Sequence, residues 1–120
     1  ERPEEQLTQT GLFMGSPKYM APEQIQGGHV DERTDIFNFG ALMYRLLTTR
    51  HLPVSAPGVA LNQRTYTRLI VPVAKLNDEV PDELCDLVHE CINYDPAERP
   101  QRMSDVCDIL NRLSRDWNGL

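Results

Sequence analysis

The strongest apolar segment of the chain runs from Ile36 to Leu47, where nine of twelve residues are apolar. Because these residues point in every direction around a helix, the pattern predicts a helix over 35–49 that is buried on all sides at the centre of its domain. Asp35 stands at the start of this helix, where a carboxylate can cap free amides and complement the helix dipole.

Amphipathic spacing in the second half predicts two further helices. From Leu84 onward, apolar residues recur at helical offsets, which predicts a helix over 82–93 that Asp95-Pro96 terminates. The recurring residues are Leu84, Leu87, Val88, Cys91 and Ile92. A last helix is predicted over 104–116, with Ser104 as its N-cap.

The rest of the chain has weaker signals. Residues 1–19 are polar and interrupted by Gly and Pro, which predicts a loop. One or two helical turns are predicted over 21–26, stopped by Gly27-Gly28, and a modest helix over 58–69. Period-2 alternation, internal repeats and an interior linker are all lacking. The sequence therefore predicts a mostly α body with a long loop in front.

Composition narrows the classes of partner. The 120 residues carry 18 acidic against 12 basic side chains, a net charge of −6. This balance argues against a nucleic acid or an anionic membrane surface as partner. The apolar runs are too short for a transmembrane segment. Three cysteines without a C-x-x-C pair predict neither a disulfide framework nor a metal site. A soluble, cytoplasmic protein is expected, although a longer parent chain could be membrane-anchored.

Three short motifs follow one another along the chain. They are G-[TS]-x-x-Y-x-A-P-E at 15–23, D-x-[WF]-x-x-G at 35–40 and D-P-x-x-R-P at 95–100. In this order they resemble the C-terminal lobe of a protein kinase domain of the bacterial (Hanks) serine/threonine type. The resemblance implies the helical half of the α+β protein kinase fold. Residues 1–20 would form the activation segment and substrate shelf, and 21–116 the helical C-lobe; the N-lobe and catalytic loop would be absent.

The resemblance also implies roles for individual residues. The substrate shelf, which faces the residue after the phosphoacceptor, would consist of Gly15, Ser16, Lys18 and Tyr19. Glu23 and Arg99 would form an ion pair that pins the activation segment to the helical lobe, and Asp35 would accept backbone amides of the catalytic loop. Without the resemblance, Ser16 would be interpreted as a turn serine and Asp35 as an ordinary N-cap. Glu23 and Arg99 would then be two unrelated surface charges.

Two departures and two modification sites complete the comparison. Phe37 stands where the family commonly has Trp, and Asn38 where it commonly has Ser. Thr8 and Thr10 lie where activation-loop phosphorylation is expected, the alternative being two solvated loop threonines.

The residues that handle ATP in a kinase are missing. The chain contains no G-x-G-x-x-G, no H-R-D and no D-F-G, so no catalytic or metal-binding residue is predicted and the chain alone should be inactive. ATP and Mg²⁺ are expected only for an intact parent kinase. Two functions stay open: the substrate-docking and structural part of a serine/threonine kinase, or a non-catalytic, pseudokinase-like binding module. The expected partner is a protein substrate or the missing N-terminal part of the domain.

Overall fold

The structure is a computed structural model that describes residues 17–54 and 62–116. In these two ranges the chain forms six α-helices and two short 3-10 turns, and no β-strand. The helices are α1 (Pro22–Ile25), α2 (Glu32–Thr48), α3 (Gln63–Leu69), α4 (Val73–Leu76), α5 (Asp82–Cys91) and α6 (Met103–Asp116). The 3-10 turns are Pro17–Tyr19 and Pro96–Glu98. The predicted mostly α fold is thus confirmed.

The helix α2 is the centre of the structure. It contacts α4, α5, α6 and the first 3-10 turn. One side of α2 contributes Phe37, Ala41 and Tyr44 to the larger core cluster, together with residues of α3, α4 and α5. A smaller cluster joins Ile36 to Val106 of α6. The remaining elements are therefore held together mainly through their contacts with α2.

The start of α2 lies three residues earlier than predicted. Its N-cap is Asp31, whose carboxylate accepts a hydrogen bond from the Arg33 amide at 2.9 Å. The Asp31 amide in turn donates to Thr34 Oγ1 at 3.2 Å, which completes a capping box. Asp35 therefore lies in the first turn, where its charge still complements the helix dipole, but it is not the cap.

Burial around α2 is one-sided in the part of the chain that the structure describes, contrary to the prediction of burial on all sides. Leu42 is 44% exposed and Leu46 is 71% exposed. Asp35 is also exposed, and it precedes these leucines by seven and eleven positions, so all three share one helical face. We call Asp35, Leu42 and Leu46 the open face of α2. The described helices α4, α5 and α6 cover only the other side.

Gly40 sets the distance between α2 and α5. A Cβ atom at this position would lie 2.7 Å from Cys91 Cβ and 2.8 Å from Ile92 Cγ2. Both distances are below van der Waals contact, and the nearer atom is attached directly to the α5 backbone. The glycine of the D-x-[WF]-x-x-G motif is therefore required for close packing of these two helices.

The remaining helix boundaries differ by a few residues from the predicted ones. Helix α3 begins at Gln63, capped by the Asn62 side chain, and residues 58–61 of the predicted helix lie outside the described residues. Helix α5 ends at Cys91 rather than at 93, and α6 begins at Met103, whose amide donates to Glu32 Oε2 at 2.8 Å. This bond joins the N-terminal ends of α2 and α6.

The four-residue helix α4 was not predicted, because one turn is too short to show an apolar period. Its first residue, Val73, is fully buried, and the Val73 amide donates to His89 Nε2 on α5 at 3.0 Å. Burial lowers the pKa of His89, which favours the neutral imidazole that accepts this bond.

Two further predictions come from composition, one on the cysteines and one on membrane-spanning segments. All three cysteines are free thiols, and burial raises the pKa of Cys91 to about 12. Over residues 17–54 and 62–116, none of the helices has the length and hydropathy needed to span a membrane.

The close approach at Gly40 generates a direct test. We expect Gly40→Ala to lower the free energy of unfolding by up to about 2 kcal/mol, since overpacking costs about 1–3 kcal/mol while the gain in helix propensity returns only about 1 kcal/mol. Urea denaturation followed by circular dichroism measures the change. Gly28→Ala is the control, because its nearest neighbour is Glu23 Cβ at an ordinary 3.6 Å. Equal stability of the two variants would contradict the packing argument.

Candidate functional site

The side chain of Arg99 is the centre of the polar site. It is 0% exposed and follows the second 3-10 turn. Its Nη1 donates to Glu23 Oε2 at 2.7 Å, and its Nη2 donates to Glu23 Oε1 at 3.0 Å. This is a bidentate pair between residues 76 positions apart, and it attaches α1 to the segment after α5.

The other three N–H groups of Arg99 donate to backbone carbonyls. Nε donates to Asn93 O at 2.7 Å and Nη2 to Tyr94 O at 3.0 Å. Nη1 donates to Arg33 O at 3.0 Å, in the first turn of α2. All five donors of the guanidinium are therefore used. We call Arg99 with these four partners, Glu23, Arg33, Asn93 and Tyr94, the Arg99 cluster.

An aromatic ring covers the face of the same guanidinium. The Arg99 Cζ atom lies 4.8 Å from the centroid of the Phe37 ring. At this distance a cation is attracted to the π face. Phe37 itself is fully buried and also contacts the ring of Tyr66, with centroids 6.2 Å apart. The phenylalanine therefore supplies the aromatic face at the position where the family commonly has tryptophan.

Glu23 is held in its ionised form. Burial raises its pKa, but hydrogen bonds from Arg99 and from Thr34 Oγ1, the latter at 2.8 Å, lower it further than burial raises it. The net pKa lies below the ordinary value of a glutamate. Because Thr34 belongs to the capping box of α2, the carboxylate is tied to the start of that helix as well as to Arg99.

The described part of the predicted substrate shelf lies a few residues before Glu23 in sequence. Lys18 and Tyr19 belong to the first 3-10 turn, which packs against α2. The Tyr19 ring contacts the His51 ring edge to face, with centroids 5.4 Å apart. The Tyr19 carbonyl accepts a hydrogen bond from Asn38 Nδ2 at 2.8 Å. The other shelf residues, Gly15 and Ser16, and the candidate phosphorylation sites Thr8 and Thr10 lie outside the described residues.

Asp35 is not part of the Arg99 cluster. Its side chain is exposed, and no hydrogen bond or ion pair joins it to another residue of the described ranges. The structure thus brings Glu23 and Arg99 together, as the sequence suggested, and leaves Asp35 on the open face of α2. Its carboxylate is free to accept hydrogen bonds from outside this part of the chain.

The motifs did not reveal several members of the site. Three of the five bonds of Arg99 end on backbone carbonyls, which carry no sequence signal. Thr34 precedes the second motif by one position, and its hydroxyl could have been identified only as the third residue of a capping box after Asp31. Asn38 was visible as a departure from the family pattern, but its partners were not.

Within 17–54 and 62–116, no three or more His, Cys, Asp or Glu side chains cluster so that they could hold a metal ion. The Mg²⁺ that a kinase requires does not fit the residues of this part of the chain. The Arg99–Glu23 pair is structural and can hold a backbone segment in place.

Comparisons with known proteins agree with this geometry. A family model described as a protein kinase domain matches residues 3–111. A protein of Clostridium acetobutylicum named a probable serine/threonine-protein kinase is 32% identical over 115 residues, which cover 95% of this chain and 17% of that protein. The DNA damage-responsive serine/threonine-protein kinase of Deinococcus radiodurans is 35% identical, over 92% of this chain and 16% of its own length. A serine/threonine-protein kinase of Mycobacterium tuberculosis is 34% identical, over 78% and 23%. The chain thus spans less than a quarter of each of these relatives.

Two arginine–glutamate pairs within residues 17–54 and 62–116 generate a matched test. Arg99→Ala should lower the free energy of unfolding by about 4 kcal/mol, because it leaves a partly buried carboxylate and three carbonyls without their donor. Arg112→Ala removes the Glu83–Arg112 pair, whose side chains are 57% and 45% exposed, and should change stability by no more than about 0.5 kcal/mol.

Urea denaturation of both variants measures the difference. Arg99→Lys, which keeps the charge but not the five-donor fork, should fall between the wild type and Arg99→Ala. A loss at Arg99 no larger than that at Arg112 would show that the Arg99 cluster does not stabilise the fold.

Proposed function

The chain belongs to the protein kinase domain family, and from this premise we propose that it is the helical C-lobe portion of a serine/threonine protein kinase. The intact enzyme would transfer the γ-phosphate of ATP to Ser or Thr hydroxyls of protein substrates, using Mg²⁺. This chain would supply the substrate-docking and structural part. The three relatives described above are all named serine/threonine-protein kinases, which supports the choice of hydroxyl acceptor.

The observation that carries this proposal is the Arg99 cluster. A substrate shelf must be fixed relative to the catalytic residues, because a displacement of about 1 Å can cost about a hundredfold in rate. The bidentate bond from Arg99 to Glu23 fixes α1, which directly follows Lys18 and Tyr19. In this proposal the cluster has an architectural role, and Gly15 and Ser16 complete the shelf in front of it.

The open face of α2 supports the proposal that this chain is one part of a larger kinase domain. Leu42 and Leu46 present apolar surface on the helix that organises the described fold. We propose that the remainder of the kinase domain covers this face and that backbone amides of the catalytic loop donate to Asp35. Phosphorylation of Thr8 or Thr10 would then regulate the activation segment by adding negative charge that can pair with an arginine.

The proposal makes a prediction about catalysis. Incubated with radiolabelled ATP, Mg²⁺ and a serine- or threonine-containing protein, this 120-residue chain should transfer no label. The protein encoded by the complete reading frame should transfer it to Ser and Thr, as phosphoamino-acid analysis of the product would establish. In that protein, Glu23→Ala should reduce transfer by at least tenfold, since the shelf would lose its anchor. Glu79→Ala, at an exposed glutamate in the turn before α5, is the control.

The outcomes separate the two functions that the sequence left open. A reading frame that contains H-R-D and D-F-G before Glu1, together with label transfer, supports the kinase. A complete reading frame with neither motif and no transfer would overturn the proposal and favour the non-catalytic binding module. Transfer by the 120-residue chain itself would refute the claim that it lacks the catalytic residues.

A further inference from the structure

Asn38 makes a second connection between α2 and the segment before it, independent of Arg99. It lies in the second turn of α2 and is 6% exposed. Its Nδ2 donates to the Tyr19 carbonyl and to Gln24 Oε1, both at 2.8 Å. The two hydrogens of one amide thus reach both the first 3-10 turn and α1.

Gln24 extends this connection back to the backbone. Its Oε1 also accepts the Ala21 amide at 2.8 Å, in the capping arrangement at the start of α1. We call Asn38, Gln24, Tyr19 and Ala21 the Asn38 bridge. Its side chains hold the stretch from Tyr19 to Gln24 at two points, one before and one within α1.

The chemistry of this bridge is specific to asparagine. A serine, the residue that the family commonly has here, carries one hydroxyl hydrogen on a shorter side chain and cannot donate to two separate acceptors. Aspartate has nearly the same shape as asparagine but places oxygens against the Tyr19 carbonyl and Gln24 Oε1. Because the site is buried, these unpaired acceptors would repel one another and lack water.

We propose that Asn38 is a positioning residue that fixes the substrate shelf by holding the Tyr19 carbonyl and, through Gln24, the start of α1. The substrate-positioning part of this inference rests on the proposed function, whereas the restraint on residues 19–24 rests on the geometry alone. The Arg99 cluster holds α1 at Glu23, and the Asn38 bridge holds Gln24 and the Tyr19 carbonyl. The backbone next to Lys18 is therefore restrained by two separate sets of hydrogen bonds.

The first experiment measures this restraint directly. Hydrogen exchange of the 120-residue chain is compared in the wild type and in Asn38→Asp, at the Ala21 amide and at the Met20 amide, which donates to Pro17 O within the turn. We expect exchange at both amides to accelerate by about tenfold or more relative to the Ile92 amide in the core, because two hydrogen bonds are lost. Gln24→Ala should accelerate the same amides, and Gln24→Glu, which keeps an acceptor oxygen, should do so much less.

Asn77→Asp provides the matched control. Asn77 Nδ2 donates to the Leu47 carbonyl at 3.0 Å, so the same chemical change removes an asparagine–carbonyl bond far from the shelf. This control should leave the Met20 and Ala21 amides unchanged relative to Ile92. If Asn38→Asp does not fold, the two Gln24 variants still decide the question, because Gln24 is only half-buried.

The second experiment uses the intact kinase. Asn38→Asp should raise KM for a protein or peptide substrate by about tenfold while KM for ATP stays within about twofold, since the shelf is displaced and the nucleotide site is not. A merely structural role would lower the amount of active enzyme without separating the two constants. Asn77→Asp should change neither.

The results distinguish failure of this inference from failure of the proposed function. Unchanged exchange at Met20 and Ala21 in both Asn38→Asp and Gln24→Ala would overturn the bridge, whatever the enzyme does. Faster exchange with equal changes in both KM values would overturn the substrate-positioning role and leave only a structural bridge. Faster exchange in the 120-residue chain, together with no phosphate transfer by the protein of the complete reading frame, would instead count against the proposed function.

Discussion

The fully buried side chain of Arg99 determines much of this structure. Removing a guanidinium from water is expensive unless each of its donors is paired, and Arg99 meets this condition with five hydrogen bonds and one aromatic face. Its partners come from α1, from the start of α2 and from the segment that follows α5. These three parts of the chain must therefore occupy fixed relative positions whenever Arg99 is buried.

The central helix α2 links this constraint to residues 17–25. Helix α2 carries Phe37 beneath the guanidinium, Thr34 on the Glu23 carboxylate and Asn38 on the Tyr19 carbonyl. About one turn after Phe37, Gly40 permits the close approach of α5. One helix thus connects the interior packing to the restraint on residues 17–25. The two leucines of its open face are exposed, which fits the proposal that this face meets further protein.

Much of the fold was predictable from the sequence, because the long helices have strong periodic signals. The central helix and the amphipathic helices α5 and α6 were identified, and D-P-x-x-R-P and A-P-E suggested the pairing of Arg99 with Glu23. Helix α4 is a single turn and has no periodicity, and the cap at Asp31 lies outside the apolar run that defined α2. The exposure of Leu46 was missed because composition alone cannot distinguish a helix covered by its own chain from one covered by additional residues. The carbonyl partners of Arg99 and Asn38 depend on the tertiary fold and leave no trace in the side-chain sequence.

The coupling between Glu23 and Arg99 tests the central claim most directly. A double-mutant cycle with Glu23→Ala, Arg99→Ala and the combined variant, measured by urea denaturation, isolates the interaction of the two side chains from their separate effects on stability. The account predicts a favourable coupling of about 2 kcal/mol, well above the few tenths expected for an exposed pair. A coupling within about 0.5 kcal/mol of zero would contradict it, because α1 and the substrate shelf would then not be held by this pair.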